Sequence, residues 1–161
     1  MRKNASILLT LLGISMIAFV CYNIYESVPN RLGWKSDYEE ALGEAQSRDQ
    51  LLLAYLYTDW CSYCKKMDSE TFRDSELIDE MSGSYVWLRL NAEKQEDGVR
   101  LQRKFGITGY PCTIIMDQSG AELDRIEGYV PVGRFKKAVE SASKARNVAS
   151  SEVCDSATGC A

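Results

Sequence analysis

Residues 51–57 read "LLLAYLY", seven apolar or aromatic side chains without a break. A strand with one wet face alternates apolar and polar residues, so an unbroken run of this length marks a central strand covered on both faces. Four residues beyond its end the chain carries Cys61-Ser62-Tyr63-Cys64, in a sequence that contains no histidine. The strand therefore has to deliver a dithiol at its carboxyl end, and the rest of the chain has to build two helical layers around it.

Those layers are legible. Ser36 followed by Glu39 has the form of a capping box. Tyr38, Ala41, Leu42 and Ala45 recur at helical spacing, predicting a first amphipathic helix to about Ser47. A helical pattern carries the cysteines on to about Met67, and a second short helix starts near Asp74 with Leu77, Ile78 and Met81 on one side. "YVWLRLN" (85–91) is the next strand, "EDGVRLQRKF" (96–105) a short helix stopped by Gly106, and "CTIIMD" (112–117) a strand. A "DQSG" turn then leads into "AELDRIEGY" (121–129), and Pro131 opens a last helix through Val132, Phe135, Val139 and Ala142. The order α-β-α-β-α-β-β-α predicts an α/β fold: a central mixed sheet, parallel in part with an antiparallel edge, flanked by helices.

The ends are different in kind. Arg2 and Lys3 precede the uncharged run Ile7–Tyr22, between a signal-peptide core and a full membrane span in length. No small-x-small cleavage site follows it. Residues 1–24 are thus expected to form an uncleaved signal anchor, with membrane contact through 6–24; a cleaved signal peptide and a buried core helix are the alternatives. Basic residues at the amino end would leave the rest of the chain on the extracytoplasmic side, periplasmic or extracellular, or secreted if the segment is removed. Residues 25–33 read as a linker, 34–147 as the folded domain and 148–161 as a flexible, cysteine-containing tail of small polar residues. Beyond Arg31 the chain has 22 acidic against 16 basic groups, which argues against nucleic acid as a partner.

The chemistry lies at the strand–helix junction. Cys61 falls where the first turn of a helix presents free N–H groups, a position that favours a thiolate, and Cys64 follows one turn on. Such a pair can cycle: Cys61 attacks a disulfide, and Cys64 then attacks Cys61 to release the product. Pro111 at the entry to a strand cannot donate to a sheet ladder and requires an unusual turn, for which a cis Tyr110–Pro111 bond is one solution.

"YTDWCSYCKKM" followed by "FGITGYPCTIIMDQSGAELDRIEGY" resembles the thioredoxin superfamily from about Trp34 to Lys144. The extra stretch "MDSETFRDSELIDEM" is similar to its exported and membrane-anchored reductive branch. That resemblance implies a thioredoxin-like fold and thiol–disulfide oxidoreductase activity, with Cys61 as nucleophile, Cys64 as resolving thiol and Pro111 as the cis-proline beside them. It implies substrate contacts from Trp60 and Tyr110, no cofactor, disulfide-containing client proteins, and a redox partner such as a membrane reductase. The chain departs from the pattern in two places. Tyr55 stands six residues before Cys61, where thioredoxins carry a buried acid, leaving Asp59 as a candidate proton-handling group or else a solvated surface carboxylate. Ser62-Tyr63, with no histidine, argues against a strong oxidant.

Three further thiols are candidate accessories. Cys112 is expected as a buried free cysteine or a third functional thiol. Cys154 and Cys160 could form a passive disulfide, a second exchanging dithiol or an intermolecular link. Together with Cys61 and Cys64 they could instead hold zinc or copper(I), in a peptide- or metal-binding module without redox turnover, the alternative function; the expectation is no metal. Haem attachment is excluded, because Lys65 follows Cys64.

Overall fold

The computed structural model describes residues 13–17, 19 and 31–157, and side-chain surroundings as far as residue 147. The chain divides into a unit up to Asn30 and a second unit from Arg31 on. In the first, residues 13–17 and 19 are helical, with Ile14, Met16, Ile17 and Phe19 exposed. Most of the expected anchor and linker lies outside the described residues. No helix among the described residues is long and apolar enough to cross a membrane.

The second unit is built from α1 (Tyr38–Arg48), β1 (Leu52–Tyr57), α2 (Ser62–Glu70), α3 (Ser75–Met81), β2 (Val86–Asn91), α4 (Glu96–Lys104), β3 (Cys112–Met116), β4 (Glu122–Glu127) and α5 (Val132–Ala157). Among the described residues the sheet has four strands in the order β2-β1-β3-β4. The β1–β2 pair is parallel, β1–β3 and β3–β4 antiparallel. The run in β1 splits as a doubly covered strand must. Leu51, Leu53 and Tyr55 enter a core with Met67, Phe72, Trp87 and Phe135, beneath α2, α3 and α5. Leu52, Ala54 and Leu56 enter a second core with Tyr38, Ala41, Ala45 and Leu101, beneath α1 and α4. An edge-to-face cluster of Trp34, Tyr55, Phe72 and Trp87 fills the first layer.

Two local expectations are corrected. The cap of α1 is Asp37, not Ser36: its carboxylate accepts from the Glu40 N–H at 2.7 Å. A one-residue shift follows because Tyr38 has to point inward, and Asp37-x-x-Glu40 satisfies the same capping pattern. Antiparallel pairing also extends past the edge hairpin, since β3 enters from the carboxyl end of β1. The described backbone is helical to Ala157, within the stretch from 148 on that the sequence analysis reads as a tail. No proline or glycine interrupts the chain between Gly133 and Gly159, so nothing local stops the helix. Cys154 thus lies within α5, and Cys160 lies outside the described residues.

Helix α4 is seated on the loop after β2 through Gly98. A Cβ there would stand 2.8 Å from the Asn91 carbonyl carbon and closer still to its oxygen. Gly98→Ala is expected to destabilise the domain by about 1–3 kcal/mol, the usual cost of forcing atoms into a packed contact. A urea unfolding midpoint unchanged from the parent protein would contradict that seating.

Candidate active site

Strand β1 ends at Tyr57, and four residues later the chain enters α2 with Cys61 as its N-cap. Cys61 Sγ accepts from the Cys64 N–H at 3.0 Å, so sulfur takes the place an Asp or Ser oxygen would fill. The two cysteines form a disulfide with a Cα–Cα separation of 5.2 Å. Both are buried, whereas their neighbours Trp60 and Tyr63 are about two-thirds exposed, at 66% and 64%. The dithiol sits under a rim of solvent-facing aromatic rings.

The remote segment arrives through the sheet register. Leu56 pairs with Cys112, which puts Pro111 beside the carboxyl end of β1. The Tyr110–Pro111 peptide is cis, and the Pro111 carbonyl accepts from the Gly128 N–H at 2.8 Å. Trp60 and Tyr110 meet edge to face, with ring centroids 6.3 Å apart. Trp60, Cys61, Cys64, Tyr110 and Pro111 therefore gather at one end of the sheet.

Two residues that the sequence does not single out organise the near side. Asn91, buried at the end of β2, donates from Nδ2 to Asp59 at 2.9 Å and accepts at Oδ1 from the N–H groups of Glu93 and Lys94. Glu93 in turn accepts from the Trp60 indole N–H at 3.0 Å. Their only sequence signal was the polar stretch Asn91–Gln95 after an apolar strand. Asp59 is half exposed and ion-paired to Lys94, whose ammonium holds the carboxyl below its usual range.

A second carboxylate lies deeper. Asp68 follows Cys64 by one turn of α2 and accepts from Arg89 at 2.6 Å. Burial outweighs the guanidinium and holds Asp68 above the ordinary carboxyl value. Tyr55, fully buried under α2, donates its hydroxyl to the Cys64 carbonyl at 3.3 Å and interacts with the Asp68 carboxyl. Among the described residues no group of three or more His, Cys, Asp or Glu is arranged to hold a metal.

An α/β domain with a disulfide at a helix N-terminus and a cis-proline segment alongside defines a class of dithiol domains. The thioredoxin-like domain model matches residues 38–143, and the chain belongs to that family. The chain is 28% identical over 102 residues to the thiol:disulfide interchange protein DsbD of Pseudoalteromonas atlantica, an alignment covering 62% of this chain and 17% of that relative. Among solved structures it is similar to the DsbH oxidoreductase, at 25% identity and a TM-score of 0.55 over 69% of this chain and 83% of that one. A thioredoxin from Thermus thermophilus shares the fold, at 24% identity and a TM-score of 0.60 over 68% and 85% of the two chains.

Cys112 follows the proline into the second core, where burial pushes its thiol up to about 11. Below that pH it stays protonated and a poor nucleophile. In the reduced protein at about pH 8, near an ordinary thiol pKa, iodoacetamide is expected to label Cys61 readily and Cys112 only after denaturation. Peptide mapping that finds both alkylated at similar rates would contradict this placement.

Proposed function

We propose that the chain is a thiol–disulfide oxidoreductase that reduces or exchanges disulfides in exported proteins through Cys61 and Cys64. The single observation that carries this reading is the Cys61–Cys64 disulfide at the N-terminus of α2. The reduced Cys61 sulfur would face the unpaired N–H groups and positive end of that helix, which lowers the cost of a thiolate. The thiolate attacks a client disulfide and expels one client sulfur. Cys64 then attacks the Cys61 sulfur, expels the second client sulfur and restores the disulfide seen here. Trp60, Tyr63 and Tyr110 would offer the client an apolar rim, and the extended backbone before Pro111 a strand to lie against.

Electrons would come from a partner protein rather than a bound cofactor, as the interchange activity named for the DsbD relative suggests. Arg2, Lys3 and the apolar run after them support a domain held on the extracytoplasmic side of a membrane, where disulfides persist. A membrane reductase is then the natural donor.

Cys61→Ser is expected to abolish insulin disulfide reduction, and Cys64→Ser to accumulate client mixed disulfides visible on non-reducing gels. With no histidine beside the thiolate, the reduction potential should fall below about −200 mV, toward thioredoxin and away from the roughly −120 mV of a strong oxidant. Retained turnover in Cys61→Ser would remove the mechanism, and a potential near the oxidant value would reverse its direction.

A further inference from the structure

Resting on the redox reading above, we infer that Thr71 is a positioning residue for the client. From the end of α2 remote from the dithiol, its buried hydroxyl holds the turn that in turn holds the Pro111 carbonyl. Thr71 is the C-cap of α2, about 15 Å along the helix from Cys61 at the usual rise per residue. Its side chain is fully buried, and Oγ1 donates to the Val130 carbonyl at 2.7 Å, across 59 positions of sequence. Packing alone does not call for a hydroxyl there, since valine has the same shape and buries no polar atom. A threonine in a helix can bond back to the carbonyl one turn earlier; this one reaches a remote segment instead.

That segment is the turn between β4 and α5. Gly128 takes a positive φ of 75° there, a conformation that side chains resist, and its N–H donates to the Pro111 carbonyl at 2.8 Å. Two residues on, the Val130 carbonyl is the acceptor for Thr71. Between them, the Tyr129 hydroxyl donates to Glu70 at 2.6 Å, and the Lys66 ammonium lies 4.4 Å from the Tyr129 ring centroid. Lys66, Glu70 and Thr71 of α2 thus grip Tyr129 and Val130, and the glycine before them grips Pro111. The Lys66 and Glu70 side chains are about half exposed, and charged contacts at such sites contribute little. The buried bond carries the attachment, because its loss leaves the Val130 carbonyl away from water without a donor.

One helix therefore sets both halves of the site. Its amino end carries the sulfur that reacts, and its carboxyl end fixes the segment against which a client backbone would lie. The two tasks separate by substrate. A small disulfide needs only the Cys61 sulfur and the helix N-terminus behind it, which the Thr71 hydroxyl does not touch. A polypeptide client also needs the Pro111 backbone in its place. Thr71 acts on client binding and leaves the thiol chemistry alone.

The test compares Thr71→Val, which keeps the shape and deletes the hydroxyl, with Thr71→Ser, which keeps the hydroxyl. Both are made in the full-length chain carrying Cys21→Ser, Cys154→Ser and Cys160→Ser. Each is assayed with insulin, using dithiothreitol as reductant, and with a small aromatic disulfide. Thr71→Val is expected to raise the KM for insulin by about tenfold, the scale of one lost buried hydrogen bond, with little change in kcat. Its rate with the aromatic disulfide should stay within about twofold of the parent, as expected for sites this far apart. Thr71→Ser should recover most of the insulin affinity. The inference is overturned by an unchanged insulin KM in Thr71→Val, by an equal loss with both disulfides, or by a Thr71→Ser variant as poor as Thr71→Val. If Thr71→Val does not fold, hydrogen exchange of the Gly128 amide in the parent decides. Exchange as slow as that of the β3 amides supports the clamp, and exchange as fast as an exposed loop overturns it. A parent protein that reduces neither disulfide would sink the redox reading and this inference with it.

Discussion

A sulfur atom caps a helix. The amino end of α2 has backbone N–H groups with no intrahelical acceptor, and the Cys61 side chain is the acceptor the sequence places there. Every other part of the site serves that junction. Strand β1 is apolar on both faces, so it stays fixed between two cores and ends at a defined height. The loop 58–60 then has just enough length to turn the chain into α2 at the sheet's carboxyl end. Oxygen at the cap would make a stable helix; sulfur makes one whose cap can be exchanged between a disulfide and an anion.

The asymmetry between the two cysteines follows from the same junction. Cys61 lies at the helix end, beside exposed Trp60 and Tyr63. Cys64 lies one turn inside, buried, with its carbonyl accepting from the Tyr55 hydroxyl. On the proposed function, the first sulfur meets the client and the second resolves the mixed disulfide. The Asn91 and Glu93 contacts fix the loop and the Trp60 ring from the β2 side, while Tyr110 and Pro111 approach from the β3 side. The site is thus assembled from the ends of three adjacent strands.

Much of this was legible in the order of residues. The run 51–57 announced a central strand because its burial on two faces leaves no polar position, and the cysteine pair stood at its end. Pro111 was legible because proline excludes itself from a ladder. The cap of α1 was misplaced by one residue because Ser36-x-x-Glu39 and Asp37-x-x-Glu40 fit the same pattern, and only the inward turn of Tyr38 separates them. Asp68 was invisible for a different reason. Its spacing from Cys64 was there to count, yet its burial depends on Tyr55 and Arg89, which reach it from two other strands. Asn91 had only turn chemistry to mark it. The helix past residue 148 was hidden by composition, since small polar residues suit a tail as readily as a frayed helix end.

The central claim is that the N-terminus of α2 stabilises the Cys61 anion. Its most direct test is a pH titration of thiolate ultraviolet absorbance in the reduced protein with Cys64 replaced by alanine and Cys21, Cys154 and Cys160 by serine. The account predicts a Cys61 midpoint at least one unit below the ~8.5 of a free thiol. A midpoint at or above that value would show that the helix end contributes nothing to the sulfur it holds.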